Sequence, residues 1–410
     1  VKIIILTQYF PPEIGAPQNR LYEVAVRLKR MGVDVEILTA MPNYPKMEIQ
    51  DGYRGKWYMN EEMEGMTIHR AWIYVSKRKS IISRLLNYFS FVFTSMWIGM
   101  FKLGRADYLF CESPPLFLGI SALFLKRIKR AKLIFNVADL WPESAEKLGI
   151  ITNRFLLNTS TKLEEHLYKK SALITGQAQG IVSNIKSRFP NKIVYWLPNG
   201  VDLSFYDSMK ITSTWRGENG FSSDDFLFLY AGIIGYAQGL DVILNAAKLT
   251  QDKPALKWIL LGTGPEKERL LALKASLNLS NVYFLDPVPK AKMPEIWKAA
   301  DISMIPLRRL DIFKGIIPSK IFESMAMRKP LLLGVEGEAD DLFIKEGKAG
   351  LAYTPDDGND LAKKALELYN NRSMVAALGD NGYAYAKSKF NRDLIAKNFY
   401  DFLVSNSNVK

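Results

Sequence analysis

Two doubly wound parallel-sheet α/β domains are the fold this sequence predicts, and three observations carry that expectation. Short apolar runs alternate with amphipathic helical patterns, as in strands of a parallel sheet covered on both faces. The alternation restarts in the second half of the chain. The 410 residues, 48% of them apolar, suit two cores of about 200 residues each better than one.

In the first half, strands are expected near 2–7, 34–39, 67–73, 107–111, 132–136, 172–176 and 193–197, with helical patterns at 19–31 and 152–170. The second half repeats the theme, with strands near 226–231, 257–262, 281–285, 301–305, 330–334 and 350–353. Helical patterns at 239–249, 265–278, 319–328 and 359–370 separate them. The Pro/Asn/Gly turn in Leu197-Pro-Asn-Gly-Val-Asp202 marks the boundary. It gives a first domain at 1–198 and a second at 199–390, with a last helix at 391–405 packing back on the first. Ligands of such sheets bind outside the carboxyl ends of the strands, so a cleft between two facing domains is expected.

Charge is unevenly divided. Residues 1–200 hold 28 Lys and Arg against 16 Asp and Glu, a balance of +12, which leaves +1 of the total +13 for the rest. One domain is therefore expected to meet an anionic surface, either nucleic acid or lipid. The run Leu85 to Lys102 is rich in Phe, Tyr and Trp, interrupted by Asn87, Ser90, Thr94 and Ser95, and preceded by Lys77, Arg78, Lys79 and Arg84. It is short and polar for a spanning helix; it reads as a core or interfacial helix that rests on anionic lipid, with no nucleic acid as partner. A single cysteine, Cys111, excludes a disulfide framework and points to a reducing compartment. The opening Ile3 to Leu6 run reads as a strand and not as a signal-peptide core. A cytoplasmic enzyme, peripheral on the inner face of the membrane, is the resulting expectation.

Candidate chemistry lies in the loops that leave strands. Gly15 and Ala16 open a helix after the first strand and offer backbone N–H groups to an anion. No second and third glycine follow, so this is not a dinucleotide fingerprint. Gly232, Gly235 and Gly239 bracket a turn after the first strand of the second domain, suited to a diphosphate or simply to a tight turn. Gly262 and Gly264 suit close packing. Pro318 and Ser319 make a helix start, and Lys320 and Glu323 share a face one turn in. They could form a surface ion pair, or an ammonium for phosphate beside a carboxylate for ribose hydroxyls. Arg308, Arg309 and Lys314 lie just upstream. Asp139 ends an apolar strand and faces the expected cleft, or else caps Ser144. Asp-X-Asp is absent and His69 and His166 stand apart in the sequence, so no metal and no other cofactor is expected. Backbone N–H groups and basic side chains would then stabilise the leaving diphosphate.

In order and spacing, Tyr9-Phe-Pro-Pro-Glu13, Asp139-Leu-Trp-Pro-Glu-Ser144, Leu197-Pro-Asn-Gly-Val-Asp202, the Gly232–Gly239 loop, Gly262-Thr-Gly-Pro-Glu266 and Pro318-Ser-Lys-Ile-Phe-Glu-Ser-Met-Ala326 resemble the retaining GT-B glycosyltransferases of sequence family 4. The bacterial branch that builds surface polysaccharides with N-acetylated deoxysugars is the most similar. The resemblance implies a nucleotide-sugar donor, most often UDP-linked, on the second domain and a lipid-linked saccharide acceptor on the first. It places Glu323 on the ribose, Pro318, Ser319, Lys320 and Ile321 near the diphosphate, Val288 beside the base, and Gly15 near the diphosphate or donor sugar. In similar enzymes a polar group near Asp139 orients or deprotonates the acceptor; Glu143 is its rival. Two departures stand out: Gly315 occupies a position often held by Glu, and apolar residues with Gln238 replace a common Arg and Lys. A nucleotide-sugar epimerase of this fold and a GDP-mannose-type mannosyltransferase are the alternatives. A nicotinamide oxidoreductase is disfavoured because Gly262-Thr-Gly264 lacks a third glycine.

Overall fold

A computed structural model describes residues 1–406 except 14, 79 and 148–152, and not the side chains of 16, 17 and 81. Lys79 of the basic flank and the Ala16 side chain thus lie outside the described residues. The chain separates into two compact units, Val1–Asn199 with Arg392–Lys410, and Gly200–Asn391.

The first unit holds β1 (Lys2–Leu6), β2 (Asp34–Ala40), β3 (Tyr58–Met63), β4 (Met66–Ala71), β5 (Tyr108–Ser113), β6 (Lys132–Val137), β7 (Leu173–Gly176) and β8 (Val194–Trp196). Their order in the sheet is β3-β4-β2-β1-β5-β6-β7-β8. The Ile-Ile-Ile-Leu run of β1 is buried on both faces, as a central parallel strand requires. Helices α1 (Ala16–Arg30), α2 (Ile81–Lys102) and α3 (Leu118–Lys129) return the chain between strands. The final helix, Arg392–Ser405, packs on α1, sinks Phe399 and Leu403 into the core, and accepts a 2.7 Å bond from the Tyr108 hydroxyl at the Leu403 carbonyl. Arg27 Nε reaches Asp393 Oδ1 at 2.6 Å.

Among the described strands of this sheet only β3 runs antiparallel, paired with β4 through the turn at Glu64 and Gly65, both at positive φ. Sequence patterning did not identify β3. Its Asn60-Glu61-Glu62 centre is polar because it forms the sheet edge. The one legible signal was the glycine-containing two-residue turn.

The second unit holds β9 (Phe226–Ala231), β10 (Leu256–Leu261), β11 (Val282–Leu285), β12 (Ile302–Pro306), β13 (Leu331–Gly334) and β14 (Gly350–Ala352). They pair in parallel in the order β11-β10-β9-β12-β13-β14. Phe228 stacks on Trp258 in its core. Among the parallel strands of each sheet the order reverses once, between β1 and β5 in the first unit and between β9 and β12 in the second. Loops leaving those strands border the crevice where ligands of open α/β sheets bind.

Candidate functional site

In the second unit, the loop Gly232–Gly239 leaves β9 on one side of the reversal and Leu307–Gly315 leaves β12 on the other. Arg308 joins them: its N–H donates to the Ala237 carbonyl at 2.9 Å and its Nε to the Tyr236 carbonyl at 2.8 Å. Its guanidinium lies 4.4 Å from the Tyr236 ring centre and 3.2 Å from Asp241. Burial pushes the Asp241 carboxyl up, but Arg269 and Arg308 outweigh it and hold the group below its ordinary range. Arg309 pairs with Glu336 at 3.1 Å, and Lys314 with Asp311 at 2.7 Å and Glu336 at 3.9 Å. Three of the four expected phosphate-neutralising cations are therefore already engaged by carboxylates.

Lys320 is placed differently. It opens the helix Lys320–Ala326, and its ammonium sits 4.0 Å from the Tyr230 ring centre. Burial lowers its pKa to about 8, with the Glu323 charge opposing. A Cβ on Gly232 would lie 2.8 Å from Lys320 Nζ, and Gly232 itself has φ 151°. Bare backbone and a desolvated ammonium thus meet at the carboxyl end of β9. The half-buried Glu323 stands one turn further along the helix. Pro318 and Ser319 lead into this helix, but the Ser319 side chain makes no cap bond, and the Ile321 N–H is used by the Pro318 carbonyl at 3.1 Å. The cap expected from sequence is a tight turn instead.

Gly235 begins the turn Tyr236–Gln238, and the Gln238 side-chain oxygen lies 2.9 Å from where a Gly235 Cβ would be. Val288 is half-buried in the loop after β11. Gly262 and Gly264 serve packing: a Cβ on Gly262 would fall 1.9 Å from the Gly232 carbonyl oxygen, and one on Gly264 2.3 Å from that of Ile234. Gly315 is exposed, with no atom near an added Cβ.

In the first unit, Gly15 is the N-cap of α1 in extended conformation, and Ala16 is the first residue of that helix. The preceding loop is pinned from beneath. Buried Glu13 accepts N–H bonds from Phe10 (3.1 Å), Asn43 (2.8 Å) and Tyr44 (2.8 Å). Fully buried Arg70 binds Glu61 at 2.5 Å and also the Pro11 carbonyl. Below the carboxyl ends of β5, β6 and β7 lies a buried polar row that sequence reading missed. Arg20 Nη2 reaches Glu112 Oε1 at 2.9 Å, Asn136 Nδ2 donates to Glu112 Oε2 at 2.7 Å, and the Thr175 hydroxyl donates to Asn136 Oδ1 at 2.6 Å. Burial pushes the Glu112 carboxyl up, with Arg20 and Asn136 opposing. Its only sequence signal was single polar residues inside apolar strands.

Asp139 stands exposed two residues beyond β6, and the Ser144 hydroxyl donates to its Oδ1 at 2.5 Å. Glu143 pairs with Lys147 at 2.7 Å. Trp141, between them, packs edge-on against Phe117 at 5.6 Å.

Two open α/β units, each with its candidate residues at the carboxyl strand ends, make up the GT-B fold. Sucrose-phosphate synthase from Thermosynechococcus elongatus shares this fold, with a TM-score of 0.74, 14% identity and 98% of each chain covered. So does Anabaena Alr3699/HepE, solved in complex with UDP-glucose, with a TM-score of 0.69, 16% identity, 98% of this chain and 99% of that one. Residues 15–200 match the Glycosyl transferase 4-like domain and residues 212–385 match Glycosyl transferases group 1; the chain belongs to the GT-B glycosyltransferases. It is also 22% identical over 334 residues to the putative colanic acid biosynthesis glycosyl transferase WcaI of Escherichia coli K12, spanning 80% of this chain and 81% of that one.

Proposed function

We propose that this glycosyltransferase moves a sugar, with retention, from a nucleoside diphosphate donor to a lipid-linked saccharide acceptor in surface-polysaccharide synthesis. The donor in this reading is UDP-linked and its sugar an N-acetylated deoxyhexose. The observation that carries it is the Lys320 ammonium held over Tyr230 beside the Gly232 backbone, one helical turn from Glu323. That arrangement suits two phosphates and a ribose. The colanic-acid role in the name of WcaI supports the surface-polysaccharide setting, and the UDP-glucose complex of HepE supports the donor class.

In this scheme the bond between the anomeric carbon and the β-phosphate oxygen breaks while the acceptor oxygen attacks from the same face. The acceptor proton passes to the departing diphosphate. Lys320 and backbone N–H groups of the Gly232 loop offset the charge that develops there. Glu323 accepts the ribose hydroxyls, Val288 lies by the base, and Asp139 orients the acceptor hydroxyl, with Glu143 as the second carboxylate of that loop. Metal-independent transfer is part of the proposal; it rests on the missing Asp-X-Asp and on Lys320.

A thermal-shift series across UDP-, GDP- and dTDP-sugars, followed by transfer of the stabilising sugar to a lipid-linked saccharide, tests the reading. Stabilisation by UDP-sugars and a new glycosidic product are expected. Stabilisation by GDP-mannose alone would favour the mannosyl reading, and an epimerised free donor without acceptor product would overturn transfer.

A further inference from the structure

The helix α2 carries apolar residues on two opposite faces, one buried and one not. Its polar residues face the protein: Asn87 Nδ2 donates to the Tyr74 carbonyl at 2.6 Å, the Thr94 hydroxyl to the Trp72 carbonyl at 2.6 Å, and the Ser95 hydroxyl to Ser121 at 2.8 Å. Asn87, Thr94 and Ser95 are buried. Phe91, Val92 and Ile98 are buried beside them, and a second set of large apolar residues faces outward. Ile82, Leu86, Phe89, Phe93, Trp97 and Phe101 are between 44% and 71% exposed. Their spacing of three or four residues puts them on one stripe of a 22-residue helix, about 33 Å long. An uncovered apolar stripe of that length marks an interaction surface.

Charge identifies what covers it. Exposed Arg78 and Arg84 stand at the start of α2, and Lys102 and Arg105 at its end. Arg127 and Arg130, also exposed, lie on and just after the neighbouring α3. No helix among the described residues is long and apolar enough to cross a membrane. Aromatic side chains with basic residues at both ends of one helix suit a bilayer interface, with rings among the acyl chains and cations at the headgroups.

We propose that the outer face of α2 lies in the surface of an anionic lipid bilayer, parallel to its plane. The stripe continues into the first unit's candidate acceptor loop: Phe89 packs on Phe117 at 4.9 Å, and Phe117 on Trp141 at 5.6 Å, two residues from Asp139. If the glycosyl-transfer reading holds, a lipid-anchored acceptor beside the N-terminal part of the stripe presents its headgroup at Asp139.

Vesicles of equal parts phosphatidylglycerol and phosphatidylcholine, sedimented with the full chain, test the surface without reference to any donor. The wild type is expected to bind at low salt, weakly at high salt, and poorly to phosphatidylcholine alone. Phe93→Ser combined with Trp97→Ser should lower partitioning by more than about tenfold. Arg84→Gln with Lys102→Gln should lower it by about tenfold or more at low salt, at roughly fivefold for each charge near the surface. Melting temperatures of both variants should stay close to the wild type, because all four side chains are exposed; Lys102 gives up its approach to the Tyr58 ring at 5.4 Å and Trp97 its edge contact with Phe101. A wild type that ignores acidic vesicles overturns the proposal, as does binding that both variants retain. A dimer in light scattering that the Phe93/Trp97 variant dissociates, with no vesicle binding, overturns it in favour of a second copy of the chain. Failure of the transfer assay alone leaves vesicle binding intact and counts against the acceptor reading only.

Discussion

Lys320 Nζ stands 4.0 Å from the centre of the Tyr230 ring, although the two residues lie on different elements, the end of β9 and the start of the helix after β12. The ring face attracts the ammonium while the surrounding protein removes its water. The result is a lysine with a pKa of about 8 in place of 10.5.

Nucleotide affinity should therefore fall as pH rises through 8. Only the protonated form offsets phosphate charge, so UDP binding should weaken about tenfold between pH 7 and pH 9. Lys320→Met should flatten that slope and Lys320→Arg retain affinity at pH 9. Fold stability should move the other way. Between about pH 8 and 10.5 the unfolded chain binds the proton that folded Lys320 has released, so this group makes stability rise with pH. Isothermal titration and chemical denaturation across the range separate the two.

Glu323→Ala should weaken UDP binding by about 1.5–3 kcal/mol, the range for a hydrogen bond to a charged group. Secondary structure should be kept, since Glu323 sits on a helix, half-buried and outside the core. Unchanged affinity for free nucleotide would remove the ribose role.

The glycines divide by what a methyl group would meet. Gly262→Ala drives Cβ to 1.9 Å from the Gly232 carbonyl oxygen at φ 152°, a backbone overlap no rotamer relieves; stability should fall by about 3 kcal/mol or more. Gly232→Ala also forces a side chain onto φ 151° but meets the tip of Lys320 at 2.8 Å and Tyr230 Oη at 3.4 Å and no backbone, so it should cost less stability than Gly262→Ala while lowering nucleotide affinity as well. Gly315→Ala meets nothing and should stay within about 1 kcal/mol of the wild type.

Much of this molecule is legible in its sequence because parallel strands buried on both faces leave continuous apolar runs, such as Ile3–Leu6 and Phe226–Tyr230. The loops at the strand ends were legible through their glycines. What could not be read is long-range. Engagement of Arg308 by Asp241 depends on two loops meeting at the strand reversal, and the setting of Lys320 depends on Tyr230. In α2, Asn87, Thr94 and Ser95 read as breaks in an apolar run, whereas they are buried beside Phe91 and Ile98; helical period alone does not say which of two apolar faces is inside.

Turnover should survive chelation. The proposed charge partner of the departing diphosphate is Lys320 with the Gly232 backbone, so transfer in excess EDTA should remain within about twofold of the untreated rate, while Lys320→Met should lower it by about 10²-fold or more. Activity lost to EDTA and restored by magnesium or manganese would refute metal independence.

The buried row beneath the first unit's loops gives the last expectation. Arg20 and Glu112 are almost fully buried, 2.9 Å apart, and Asn136 and Thr175 extend the chain of bonds across three neighbouring strands. Removing one partner leaves the other charge buried without its counter-ion, so Arg20→Met should cost about 3–5 kcal/mol. Replacing both, Arg20→Met with Glu112→Leu, removes the stranded charge and should recover a large part of that loss. Arg20 also lies on the first turns of α1, just after Gly15, so the row ties the N-terminus of that helix to the strand ends beneath it. If the row positions the loop, the double variant should regain stability yet keep a raised KM for acceptor. A double variant no more stable than Arg20→Met would show that the bonds, and not the charge balance, hold the site together.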